Sequence, residues 1–196
     1  MSSDERWKKF FELTANKPPS ALLVEALPQV KEKKNALDLG AGALKDTRYL
    51  LEQGFEKVTI VDSSSRTQEF ASQLGDPRIE CFTNTFFEFQ YPVERYDLVN
   101  AEFALPFDSP STFAQTFEKI KSSIKKHGIF TGQLFGEHDE WNTPGRSMTF
   151  QTKYEAYKLL EGLEILKFSE IEVDGKTADQ KPKHWHYFNI IAKNHE

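Results

Sequence analysis

The stretch Asp38-Leu39-Gly40-Ala41-Gly42 follows the apolar pair Ala36-Leu37 and opens a short turn into a segment that reads as a helix. Glycine takes positive φ and lets a bulky ligand approach the backbone, while the first N–H groups of the following helix are unpaired donors. Asp62 ends the run Val58-Thr59-Ile60-Val61, close to the distance at which an acidic residue meets a ribose diol. One carboxylate offers two acceptor oxygens suited to such a diol. Together the cradle and the carboxylate point to an adenosine-containing ligand. A dinucleotide fingerprint would place a third glycine where Lys45 stands, which counts against NAD.

These residues must be held by strands and helices, and the sequence alternates the two. Asp46-Thr47 opens a helix through Tyr49, Leu50 and Leu51 that ends near Gly54, and a strand follows at Val58 to Val61. A helix from Gln68 to Leu74, the turn Gly75-Asp76-Pro77 and a strand at Ile79 to Phe82 complete a second crossover. Asp97 to Asn100 forms a fourth strand. Ser109-Pro110 then starts a helix whose Phe113, Phe117, Ile120 and Ile124 keep helical spacing as far as His127-Gly128, and a fifth strand runs on from Ile129. Thr152 and Glu155 have capping-box spacing for a helix stopping at Gly162. Leu163 to Val173 and Trp185 to Ala192 read as strands joined by a polar loop, Asp174 to Lys183.

This pattern predicts an α/β fold: a Rossmann-like, doubly wound sheet of about seven strands, mostly parallel, with helices on both faces. Such sheets bind ligands beyond the carboxyl ends of their strands. Ahead of the first strand, Trp7, Phe10, Phe11 and Thr14 give a helix with an aromatic stripe. Asn16-Lys17-Pro18-Pro19 breaks it, and Ser20 is placed to cap a second helix holding Leu22, Leu23 and Leu27. The reading is one domain over residues 1–196, with 1–30 as an N-terminal helical cap.

The residues Asp38 to Gly42 and Asp62 resemble the first motif and the second-strand acid of the class I S-adenosylmethionine-dependent methyltransferases. Tyr96-Asp97-Leu98-Val99-Asn100 is similar to that family's fourth strand and Gly128-Ile129-Phe130-Thr131-Gly132 to its fifth. Within the family, Phe135 to Trp141 and Lys183-His184-Trp185-His186 are similar to small bacterial enzymes near the tellurite-resistance subgroup. The resemblance implies S-adenosylmethionine as cofactor, a last strand antiparallel to its neighbours, and methyl transfer to a small molecule. It implies cofactor contacts at Asp38, Gly40, Ala41, Gly42, Asp62 and Ser63, with Asn84 and Phe86 beside the adenine and Asn100 and Ala101 at the sulfonium end. Lys17 is a candidate for the methionine carboxylate and Asp46 for its ammonium. The Asn/Asp-Pro-Pro-aromatic motif of amino-group methyltransferases is missing, which counts against DNA-adenine methylation.

On the substrate side, Gln133, Phe135, His138, Asp139 and Trp141 mix hydrogen-bonding and aromatic groups suited to a small pocket, and Trp185 joins them from the last strand. His138, His184 and His186 are the candidates for a general base; converging, they would also suit a metal, though no metal is expected from sequence. His184 and His186 alternate onto one strand face. The alternatives are a non-catalytic binder of the same cofactor, a nicotinamide-dependent oxidoreductase and a scaffold that binds neither.

Composition narrows the partners. With 25 basic and 30 acidic residues the net charge is -5, which disfavours a nonspecific grip on nucleic acid or an anionic membrane. The single cysteine, Cys81, fits a reducing cytoplasm. The start Met1 to Arg6 lacks a signal-peptide pattern, and no apolar stretch reaches membrane-spanning length. Oligomeric state is not encoded in any pattern here.

Overall fold

The structure, a computed structural model, describes residues 11–195. Trp7 and Phe10 of the expected N-terminal stripe lie outside the described residues. Eight strands form one sheet in the order β3-β2-β1-β4-β5-β8-β7, with the two-residue β6 attached to β5. The strands are β1 (Asn35–Leu39), β2 (Lys57–Asp62), β3 (Ile79–Thr83), β4 (Tyr96–Ala101), β5 (Ile124–Gly136), β6 (Phe150–Gln151), β7 (Leu163–Lys176) and β8 (Pro182–Asn194). Among the described residues, 11–14 are helical, and the helices that follow are α1 (Ala21–Ala26), α2 (Lys45–Glu52), α3 (Ser65–Leu74), α4 (Phe113–Ser123) and α5 (Lys153–Leu159). Strands β1 to β6 pair in parallel, whereas β8 runs antiparallel to both β5 and β7.

Successive side chains of a strand point to opposite faces, so the near-continuous apolar runs make both faces of the central strands apolar. On one face Leu37, Val61, Val99 and Phe130 pack with Phe113, Phe117 and Ile120 of α4. On the other, Ala36, Val58, Ile60, Leu98 and Ile129 pack with Leu22 and Leu23 of α1 and Leu50 and Leu51 of α2. The core therefore sits on both sides of β1, β2, β4 and β5, and the carboxyl ends of those strands share one edge. Between β3 and β4 the chain has no helix. Phe82, Phe89 and Tyr91 fill that place as a run of edge-on rings, with centroids 5.2 and 4.8 Å apart.

Several boundaries differ from the sequence expectation. The helix expected to run to His127 stops at Ser123, and Ile124 already pairs with Tyr96. Helix α4 starts at Phe113 instead of Ser109-Pro110, with Thr112 before it. The terminal strands extend to Lys176 and from Pro182, because pairing continues through Asp174↔His184 and Gly175↔Lys183. The polar loop expected over Asp174 to Lys183 thus shrinks to residues 177–181. The eighth strand is the short β6, too brief to leave a period in the sequence. Ser20 sits at the N-cap of α1 without capping it; its side chain bonds Asp46 instead. The Thr152–Glu155 capping box forms as read.

Candidate functional site

Strand register builds the centre of the site. Asp38 of β1 lies beside Asn100 of β4, which lies beside Thr131 of β5. Asp38 is buried, accepting from Thr47 Oγ1 at 2.6 Å and from Asn100 Nδ2 at 2.8 Å. Burial, with the charge of Asp46 nearby, pushes its carboxyl up to about 7. Asn100 is fully buried, and its Oδ1 has no hydrogen-bond partner among the described residues. An orphaned buried acceptor at a strand end is what a bound donor would satisfy.

The glycine turn lies over this centre. Gly40 holds φ 69, and a Cβ built there would stand 2.5 Å from Ala104 Cβ and 3.5 Å from the Phe86 ring. Gly42, at φ 51, donates its N–H to Asp62 Oδ2 at 2.9 Å, while Ser64 N–H donates to Oδ1 at 2.9 Å. The Asp62 carboxylate is thereby fixed at the mouth of the turn, with lone pairs left on both oxygens. Ser63 is exposed beside it, and Asn84 and Phe86 are half-buried in the segment after β3. The structure places Asp38, Gly40, Ala41, Gly42, Asp62, Phe86, Asn100 and Ala101 at one sheet edge.

The N-terminal segment reaches the same place. Asp46, which the sequence could assign to helix capping, accepts instead from Ser20 N–H at 2.7 Å and Ser20 Oγ at 2.8 Å. Lys45 Nζ donates to Ser20 Oγ and pairs with Asp46 at 3.2 Å. Lys17 is exposed and its N–H bonds Thr14 O; the ammonium that the fold places by the turn is Lys45. Sequence reasoning treated Lys45 only as a missing glycine.

Glu102 is the main residue that pattern reading left without a role. It sits just past β4, where Gln133 Nε2 donates to its Oε2 at 2.7 Å and Thr131 Oγ1 lies 3.4 Å from Oε1. Burial, aided by the Asp46 charge, pushes its carboxyl up to about 7. Gln133 itself is buried, so this candidate substrate contact acts from behind Glu102. The only sequence signal was position: a carboxylate two residues beyond a buried Asn at a strand end.

Beside it lies an aromatic wall. Phe135, 1% exposed, touches Phe103, Phe107, Trp141 and Trp185 with centroids 6.0 to 6.3 Å away. It is the hub behind the wall, and the surface is made by Phe103, Phe107, Trp141, Trp185 and Tyr187. The Lys183 ammonium lies 3.7 Å from the Trp185 ring and 4.5 Å from Trp141, and it pairs with Asp139 at 2.5 Å; both side chains are buried. This pair ties the loop after β5 to the start of β8.

The three histidines do converge, on the opposite face of β8. His184 bonds Asp174 at 2.7 Å and Glu172 at 3.3 Å, and those carboxylates hold its imidazole above the usual range. The rings of His138 and His186 stack with centroids 4.8 Å apart. Ligand-type atoms of His138, Glu172 and His186 lie within 4.8 Å of one another. However, His186 Nδ1 accepts the His138 N–H at 3.0 Å, so its proton resides on Nε2, which faces Glu170 at 3.2 Å. A metal at Nε2 would need the other tautomer and would break the His138 bond. None of the three histidines is hydrogen-bonded to Asp38, Asn100 or Glu102.

Comparison with known proteins agrees with this geometry. Residues 36–128 match the family described as a methyltransferase domain. A search of curated protein sequences finds no match. Among solved structures, the 1,6-didemethyltoxoflavin-N1-methyltransferase of Burkholderia thailandensis, solved with S-adenosylhomocysteine, is similar at TM-score 0.67 and 20% identity, covering 89% of this chain and 77% of that one. TehB of Haemophilus influenzae is similar at TM-score 0.73 and 16% identity, covering 88% of this chain and 61% of that one. The N-methyltransferase NodS of Bradyrhizobium japonicum is similar at TM-score 0.68 and 15% identity, covering 97% and 98%. At such identities these likenesses speak for the fold. Over residues 36–128 the chain matches a methyltransferase domain, and these solved methyltransferases share its fold. NodS was likewise solved with S-adenosylhomocysteine. Among the described residues no helix is long and apolar enough to cross a membrane.

Proposed function

We propose that this chain transfers a methyl group to a small-molecule acceptor as a single catalytic domain, residues 1–196, with residues 1–30 as its cap. The observation that carries this reading is the Asp62 carboxylate fixed by the Gly42 and Ser64 N–H groups at the mouth of a cradle that admits no side chain at Gly40. In this reading the backbone of Gly40, Ala41 and Gly42 lies against the cofactor, Asp62 and Ser63 take its ribose, and Asn84 and Phe86 flank its adenine. Asp38, Asn100 and Ala101 stand at the sulfonium end, where the unpaired Asn100 Oδ1 accepts a donor. Lys45 and Asp46 supply one charge of each sign for its amino-acid end.

The cofactor supplies an activated methyl on a sulfonium. The protein's own task is to hold the acceptor in line and to exclude water. The aromatic wall and the loop tied down by Lys183 and Asp139 do both. Net charge of -5 favours a small acceptor over nucleic acid, and the lone Cys81 suits the cytoplasm. The resemblance to the tellurite-resistance subgroup keeps oxyanions in the acceptor screen beside amines, thiols and acids.

Calorimetric titration with S-adenosylmethionine and S-adenosylhomocysteine, with NAD as control, tests the reading. Saturable binding of the first two that is lost in Asp62→Ala supports it. A wild-type protein that binds neither overturns it, and binding without turnover of any acceptor leaves a cofactor sensor.

A further inference from the structure

One buried amide joins Glu102 to the aromatic wall. Gln133 Nε2 donates to Glu102 Oε2 at 2.7 Å and to Asn189 Oδ1 at 3.2 Å, while Gln133 Oε1 accepts the Phe103 N–H at 2.8 Å. Phe103 holds φ 50, a conformation a bulky residue keeps only where its surroundings impose it. Here that imposition is the Gln133 bond, and its result is an aromatic ring 39% exposed at the ligand edge of the sheet. Tyr187 and Trp185 stand edge-on to it, at 5.2 and 6.0 Å.

Two further features select what this wall receives. The Lys183 ammonium already lies against Trp185, Trp141 and Phe135, so these three rings have a cation on one face and a positive charge behind them that repels a second cation. A cationic acceptor gains little there, whereas a neutral ring can stack on Phe103. Glu102 Oε2 is held by Gln133, but Oε1 has only the Thr131 hydroxyl at 3.4 Å and keeps its acceptor capacity.

Resting on the methyltransferase reading above, we propose that the acceptor is a flat, uncharged aromatic molecule with an O–H or ring N–H, stacked on Phe103, and that Glu102 takes its proton. In the transfer, the acceptor's lone pair forms the bond to the methyl carbon and the carbon–sulfur pair stays on sulfur. The acceptor's proton passes to Glu102 Oε1, leaving methylated acceptor, S-adenosylhomocysteine and a neutral Glu102. The charged groups facing Glu102 are Asp46 and Lys45 on α2; from β5 it meets only the neutral Gln133 and Thr131. Burial and Asp46 set its titration near neutrality, a suitable range for a proton acceptor.

The test uses the full chain loaded with S-adenosylhomocysteine, titrated with phenol, naphthol and hydroxyquinoline against ethanolamine, cysteine, acetate and tellurite. Saturation-transfer NMR and tryptophan fluorescence report binding. The aromatic probes are expected to bind, and Phe103→Gly, which also suits the positive φ, should weaken them about tenfold with unchanged S-adenosylhomocysteine affinity. Glu102→Gln should keep both affinities while turnover of the best aromatic probe falls about a hundredfold and the acid limb of kcat/KM disappears. Binding of aliphatic or oxyanion probes alone, or of no probe at all, overturns the aromatic acceptor, as does a Phe103→Gly protein that binds naphthol normally. A wild-type pH profile in Glu102→Gln overturns the proton-acceptor role. Failure to bind S-adenosylhomocysteine overturns instead the reading beneath.

Discussion

Replacing Asp38 by Asn tests the electrostatics at the centre of the sheet edge. The Asp38 carboxyl is buried and loses its proton near pH 7, against an ordinary value of 3.8. Because this carboxyl's folded-state value is raised, the folded protein holds a proton that the unfolded chain has released throughout that window. Stability is therefore fullest below about pH 4 for this group and falls as pH climbs to about 7. At ~1.4 kcal/mol per pH unit the loss amounts to about 4 kcal/mol. An Asn side chain can keep both bonds: its oxygen accepts from Asn100 Nδ2, and its amide donates to the Thr47 hydroxyl, which turns to accept. The variant should thus fold as wild type yet lack this ionisation. Urea unfolding at about pH 4 and about pH 8 measures it, together with the relief of the neighbouring Asp46 charge to which Asp38 is coupled. The stability lost between the two pH values should be about 4 kcal/mol smaller in Asp38→Asn. Equal losses in the two proteins would refute the assignment of a protonated buried Asp38.

Other perturbations separate packing from chemistry. Gly40→Ala combines a left-handed φ with a Cβ 2.5 Å from Ala104 Cβ; it should cost about 2–5 kcal/mol in thermal unfolding, and an unchanged midpoint would deny the close approach. Lys183→Met leaves the Asp139 carboxylate, 0% exposed, without its partner. Its expected cost is about 3–5 kcal/mol in urea, and a loss below about 1 kcal/mol would contradict the ion-pair account. Thr152→Ala removes the capping box of α5, and chemical unfolding should register about 1 kcal/mol.

Sequence pattern alone determined the alternation of strands and helices and the cradle, while the antiparallel last strand was implied by the family resemblance. Alternation and cradle are local patterns: short, near-continuous apolar runs in β1, β2 and β4, glycines at the turn, a carboxylate closing β2. Those patterns survive in one dimension because burial on a strand or helix face repeats along the chain. Local pattern was weakest at ends, where pairing overrode it: Ile124 fits helical spacing but is captured by Tyr96, and β7 and β8 extend through residues that read as loop. Tertiary structure alone decided which polar groups share a site. Glu102, Gln133 and Asn189 are brought together by register across β4, β5 and β8, and Lys45 by the return of the N-terminal segment onto α2. The histidines show the same limit from the other side. Their spacing correctly put His184 and His186 on one face, but only the sheet determined that this face meets the carboxylates of β7, on the other side of β8 from the aromatic wall. Residues 25 to 84 positions apart become neighbours through pairings that no local period records, and the chemistry of this edge is made from them.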